Sequence, residues 1–164
     1  HTHIFGNDKT NNTTEALDLW EENKKAEKGL KTQTELMRDV CSYLPALMRA
    51  QKVQKKAAQV GFDWEAFTGA FCKLTEEVNE LKAAAAEQNA EHMEEELGDL
   101  LFSAVNVSRF LEVNPEEALK KATDKFLARF EKMERAAITS GRDLNGMTLA
   151  EMDELWNQAK DGRI

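Results

Sequence analysis

Nine acidic side chains lie between Glu76 and Asp99, and Lys82 is the one lysine or arginine among them. Four of these acids stand in pairs at helical spacing. Glu77/Glu80 falls inside Glu76-Glu77-Val78-Asn79-Glu80, and Glu96/Asp99 inside Glu94-Glu95-Glu96-Leu97-Gly98-Asp99. Residues three or four apart stand on the same side of a helix, so each pair can aim two carboxylates at one spot. Like charges about 4 Å apart repel by about 1 kcal/mol in water and about 4 kcal/mol at a protein surface. A chain that builds such a cluster usually has a cation to hold, and all-oxygen ligands suit Mg²⁺, with Mn²⁺ as a substitute.

The elements that must position these acids are helices. Glycine and proline are scarce, 8 and 2 of 164 residues, and no β-alternation stands out, so the chain reads as all-α. From Trp64 to Glu87 the apolar positions Phe67, Phe71, Leu74, Val78 and Leu81 step by four and three, making one helical stripe. Asp63 is the expected N-cap of that helix. From Ala90 to Leu111 the stripe is Met93, Leu97, Leu101, Ala104 and Leu111, widened by Leu100 and Val105. Only Gln88-Asn89 separates the two helices, which predicts antiparallel neighbours.

Other boundaries follow from capping chemistry. Thr32-x-x-Glu35 is a capping-box pattern for a short segment. Pro45 suits the first turn of a helix running to Val60 and stopping at Gly61. Asn114-Pro115-Glu116-Glu117 starts a helix carrying Leu119, Ala122, Phe126, Phe130 and Met133, which ends near Ser140-Gly141. Thr148-x-x-Glu151 caps a last helix holding Met152, Leu155, Trp156 and Ala159. A polar helix is expected over Thr14 to Lys28, after a loose polar start at residues 1–13.

At about 100° per residue, with Leu74 as origin, Lys73, Glu77 and Glu80 fall at roughly 240° to 300°, beside the apolar stripe. With Leu97 as origin, Glu96, Asp99 and Ser103 fall at roughly 200° to 260° on the next helix. An acidic run is ordinarily a solvated face. Two pairs on adjacent helices, both flanking the seam, instead let the helices converge on one ion. The helix after Pro115 has the opposite sign: Lys121, Lys125, Arg129 and Lys132 form a basic stripe beside its apolar face. Metal-binding carboxylates and a basic stripe together point to a bound polyphosphate, because lysine and arginine hold phosphate oxygens that a metal leaves free.

Several classes are excluded or disfavoured. No apolar run approaches the roughly 18 residues needed to span a bilayer. Net charge is −8, which works against a nucleic-acid partner. Walker and Rossmann glycine patterns are absent. His1, His3 and His92 have no metal-ligand spacing, and the Glu-x-x-His pairs of a di-iron bundle are missing. Cys41 and Cys72 form no metal spacing and fit a reducing cytoplasm as packing residues.

Glu76-Glu77-x-x-Glu80 followed by Glu96-x-x-Asp99 resembles the EExxE…ExxD signature of the MazG-like nucleoside triphosphate pyrophosphohydrolases. Leu44-Pro45-Ala46-Leu47-Met48-Arg49-Ala50-Gln51-Lys52 and Val60-Gly61-Phe62-Asp63-Trp64 resemble bacterial members of that family. So do Gly98-Asp99-Leu100-Leu101-Phe102, Lys125-Phe126-x-x-Arg129-Phe130 and Trp156-x-x-x-Lys160. Each motif alone is weak; in this order, across about residues 44 to 160, they are specific. The opening His1-Thr2-His3-Ile4-Phe5-Gly6 is similar to the end of the first domain in members that carry two such domains. The expected organisation is therefore a linker or N-terminal extension over 1–43 and a catalytic domain over 44–164.

The resemblance implies a MazG-like helical bundle, a four-helix core with added helices, working as a homodimer in the cytoplasm. It implies Mg²⁺-dependent conversion of a nucleoside triphosphate to the monophosphate and diphosphate. It makes Glu77, Glu80, Glu96 and Asp99 the metal ligands. Lys73, Lys125, Arg129, Trp156 and Lys160 match substrate-binding positions. His92 to Glu95 aligns with a substrate-contacting stretch whose residue types differ, and only Glu95 carries over. Thr123 departs from a frequent asparagine, and residues 31–43 match poorly. Glu76 or Glu80 is the expected general base, since spacing does not separate a base from a ligand. The competing readings are a hydrolase of dUTP, dCTP or phosphoribosyl-ATP on the same bundle, a regulatory module without catalysis, and a purely structural acidic bundle.

Overall fold

The computed structural model describes Ala16, Gly29 and residues 31–164. The expected helix over Thr14 to Lys28 and the polar start lie outside the described residues, Ala16 apart. The described residues form six α-helices and no strand: α1 Gln33–Arg38, α2 Ala46–Gln59, α3 Phe67–Glu87, α4 Ala90–Phe110, α5 Pro115–Thr139 and α6 Leu149–Lys160. A 3₁₀ turn, Leu144–Gly146, precedes α6. No helix among the described residues is long and apolar enough to cross a membrane. The chain forms two compact units, one up to Glu116 and one over Glu117–Ile164.

In the first unit α3 and α4 are the principal pair, and α2 packs on α4 and on α1. The α3–α4 turn is two residues, Gln88 in the left-handed region (φ 56) and Asn89 as N-cap. The Asn89 side chain accepts from the His92 backbone N–H, satisfying one of the free donors at the start of α4. The Thr32/Glu35 capping box is formed as expected. Gln33 Nε2 donates to the Lys56 carbonyl at 2.6 Å, tying α1 to α2. Buried Gln54 donates to the Phe102 carbonyl at 2.9 Å, tying α2 to α4.

Two boundaries differ from expectation. Pro45 is the N-cap residue of α2, just outside the first turn. Asp63 does not cap α3, which begins at Phe67 after Ala66 with no side-chain cap. Asp63 instead accepts from both terminal nitrogens of Arg109, at 3.0 and 2.5 Å, pinning the connecting loop to the end of α4. A bidentate arginine–carboxylate pair holds this carboxylate more strongly than a lone backbone N–H would. Gly61, at φ 89, closes α2 with a left-handed residue that a Cβ would disfavour. Trp64 then lies against Gly69, where an added Cβ would meet the indole at 2.7 Å. Gly69→Ala is expected to cost about 1–3 kcal/mol by overpacking and to shift Trp64 fluorescence, checked by denaturant unfolding.

The faces of α3 and α4 are turned relative to the sequence reading. The buried residues of α3 are Ala70, Glu77 and Ala84, seven apart, rather than the Phe71 side of the stripe. On α4 they are Glu96, Ser103, Val105 and Val107, while Leu97 and Leu101 stay 47% and 50% exposed. Hydrophobic periodicity assigns leucines to the seam by default. The structure places small residues and two carboxylates there, which allows the backbones to approach closely. Leu111 is also exposed.

In the second unit Met133 and Ala137 of α5 and Ala159 of α6 are buried, whereas Leu119, Phe126 and Phe130 remain exposed. The helix ends as expected, with Gly141 at φ 72 and Arg142 N–H bonded to the Ala137 carbonyl. Thr148 caps α6 by accepting from the Glu151 N–H at 3.2 Å.

Candidate metal centre

The α3–α4 seam carries the acids that the sequence placed beside it. Glu77 is 6% and Glu96 8% exposed, and Asp99 stands exposed one turn along α4. One carboxylate oxygen from each of Glu77, Glu96 and Asp99 lies within 4.8 Å of the others. An octahedral ion with bonds of about 2.1 Å sets its ligand oxygens about 3 Å apart when adjacent and about 4.2 Å apart when opposite. Small side-chain rotations therefore suffice to bring the trio onto one hard divalent cation. An all-carboxylate donor set fits magnesium or manganese rather than a thiophilic metal.

The fourth expected ligand, Glu80, is exposed and outside the converging trio. Its charge nonetheless reaches Glu96. Burial first, then Glu80, Glu77 and Asp99, raise the Glu96 pKa above the ordinary glutamate value, with His92 opposing. Lys73 bridges Glu77 at 3.0 Å and Glu76 at 3.5 Å. The hydrogen bond to Glu77 is the largest cause of its raised pKa, which keeps Lys73 charged. Glu76, the other candidate base, is exposed and engaged by that lysine. Glu95 is exposed on α4.

Lys125, Arg129, Trp156 and Lys160 belong to the second unit. Lys125 and Lys160 are exposed and Arg129 half-buried. Trp156 is half-buried, its ring 5.1 Å from that of Phe126, which stacks on Phe130 at 6.2 Å. Lys125/Arg129 and Trp156/Lys160 are each one turn apart, so each pair shares a helix face.

His92 is the residue that sequence reasoning passed over. Its Nε2 lies 3.3 Å from Glu96 and its Nδ1 3.1 Å from Glu87. Judged against other histidines it has no ligand spacing, but its four-residue step to Glu96 was a readable signal. Its pKa is raised, chiefly by the hydrogen bond to Glu87.

These shifts set a pH dependence. Between the ordinary and raised values the folded protein holds more protons than the unfolded chain, so stability falls as pH rises through that range. A cation at the trio favours the ionised form of Glu96 and removes its share of the loss. The gain in melting temperature on adding Mg²⁺ is thus expected to grow as pH rises through the Glu96 range. Thermal melts with Mg²⁺ and with chelator across pH test this; a gain independent of pH contradicts it.

Described residues that are all-helical, with two buried carboxylates and a third, exposed one converging between two antiparallel helices, define the structural class. Residues 69–133, from the start of α3 into α5, match the model of the MazG nucleotide pyrophosphohydrolase domain. All of the chain is 41% identical to a nucleoside triphosphate pyrophosphohydrolase of Escherichia coli K12, covering 63% of that protein. Nearly all, 99%, is 43% identical to a nucleoside triphosphate pyrophosphohydrolase/pyrophosphatase MazG of Thermotoga maritima, covering 60% of it. A Bacillus subtilis protein, uncharacterized protein YabN, is 44% identical over 98% of the chain and 33% of its own length. The chain thus spans less than two thirds of the curated relatives it matches.

Proposed function

We propose that this domain is a divalent-cation-dependent nucleoside triphosphate pyrophosphohydrolase, converting a nucleoside triphosphate and water to the monophosphate and diphosphate. The observation that carries the reading is the convergence of buried Glu77 and Glu96 with exposed Asp99 at the α3–α4 seam. The matched domain model and the activity named for two relatives support the reaction class.

Glu77, Glu96 and Asp99 hold the cation, with Glu80 completing the set or standing beside it. Mg²⁺ bound there would polarise phosphate oxygens and acidify a water. Glu80 is favoured as general base, because Glu76 is occupied by Lys73 while Glu80 is not part of the trio. Lys73, Lys125, Arg129 and Lys160 bind triphosphate oxygens and offset charge building on the departing diphosphate. Trp156 borders or stacks on the nucleoside, and Glu95 joins the substrate contacts. Lys125→Ala is expected to raise KM for the triphosphate about tenfold, the effect of losing one charge-assisted contact. Steady-state kinetics measure it; unchanged KM and kcat return Lys125 to an ordinary solvated face.

We read the catalytic domain as 44–164, with 1–43 as an extension; its helix α1 packs on α2. A cytoplasmic homodimer without a nucleic-acid partner completes the proposal. Leu97 and Leu101, exposed on α4, give a second copy apolar surface to cover. Sedimentation showing only monomer at micromolar concentration contradicts the dimer. Release of diphosphate across a panel of nucleoside triphosphates, dUTP, dCTP and phosphoribosyl-ATP tests the substrate class. Silence toward the whole panel with Mg²⁺ present favours a regulatory module.

A further inference from the structure

The α3–α4 turn does more than reverse the chain. Glu87 is the last residue of α3, and Asn89 fixes the first turn of α4 by accepting from the His92 N–H at 3.2 Å. The His92 ring is thereby presented between two carboxylates, Nδ1 3.1 Å from Glu87 and Nε2 3.3 Å from Glu96. Glu96 lies one helical turn further along and is one of the three converging acids. Turn, imidazole and buried carboxylate form a continuous chain from the surface to the seam.

We propose that His92 is a positioning residue for the metal centre, holding the Glu96 carboxylate in its ligating orientation through the 3.3 Å contact of its Nε2, with Glu87 steadying the ring through Nδ1. The inference rests on the metal reading above. A ligating carboxylate must be held against rotation toward solvent, and an outer partner hydrogen-bonded to a ligand serves this purpose. Glu96 needs such a partner because the charges facing it from Glu77, Glu80 and Asp99 all repel it. His92 touches Glu96 without belonging to the converging trio.

Mg²⁺ titration by calorimetry of the wild-type chain, His92→Ala, His92→Gln and Glu87→Gln tests the proposal. Removing such a partner typically costs 10–100-fold in metal affinity. His92 is partly exposed, so His92→Ala is expected at the lower end, about tenfold weaker. The metal-free melting temperature and helicity should stay close to wild type. His92→Gln restores a donor four residues before Glu96 and should recover most of the affinity, while Glu87→Gln should lose less than His92→Ala. Wild type that binds Mg²⁺ with His92→Ala equal to it or tighter overturns the positioning role and leaves the metal reading standing. No recovery in His92→Gln also overturns it, because packing rather than the polar contact with Glu96 would then be responsible. Wild type that binds no Mg²⁺ overturns the metal reading and this inference with it.

Discussion

Asp99→Asn is expected to lower diphosphate release at least about a thousandfold, equivalent to about 4 kcal/mol of barrier, with helicity unchanged. Asp99 is the one member of the converging trio that stands exposed, so its replacement disturbs no packing. Asparagine keeps the size and one oxygen but removes the charge that holds a hard cation. Glu80→Gln should also lose turnover. If Glu80 is the base rather than a ligand, that loss should come with little change in Mg²⁺ affinity. Near-normal turnover in Asp99→Asn would remove the carboxylate trio from the mechanism.

The second large effect concerns stability and has an unusual sign. Replacing a buried, partnered carboxylate ordinarily destabilises a protein. Glu96 is buried and faces three other carboxylates. Glu96→Gln is therefore expected to melt above wild type when both are free of divalent cation. Wild type should then overtake it as Mg²⁺ is added. A cation at a hundredfold excess over its Kd stabilises by about 2.7 kcal/mol. For a chain of this length that is a rise of roughly 5–10 °C. Glu96→Gln should show almost none of this rise. Melting curves with chelator and with a Mg²⁺ series decide the matter. A metal-free Glu96→Gln that melts below wild type would mean that Glu96 serves packing.

Much of this was legible in the chain. Capping residues placed Thr32, Pro115 and Thr148 at helix starts, and the Gln88-Asn89 break gave the antiparallel pair. Helical spacing within the pairs Glu77/Glu80 and Glu96/Asp99 predicts four converging acids; the structure brings Glu77, Glu96 and Asp99 together and leaves Glu80 outside. What periodicity missed was which face of α4 packs. Leu97 and Leu101 carry more hydrophobicity than Glu96 and Ser103, so a stripe argument buries the leucines. The buried carboxylates fit the proposed cation, and the exposed leucines the proposed second copy, neither of which a stripe argument takes into account. Asp63 differs from expectation for a related reason: a local cap is visible within a few residues, whereas its partner Arg109 is distant in sequence. His92 has no ligand spacing to another histidine; its readable signal is the four-residue step to Glu96.

Product analysis with ATP and Mg²⁺ tests the central claim most directly. The carboxylate seam and the reaction proposed for it predict AMP and diphosphate in equal amounts, with no turnover in chelator. ADP and phosphate would contradict the bond assignment, and AMP and diphosphate formed undiminished in chelator would contradict the metal centre.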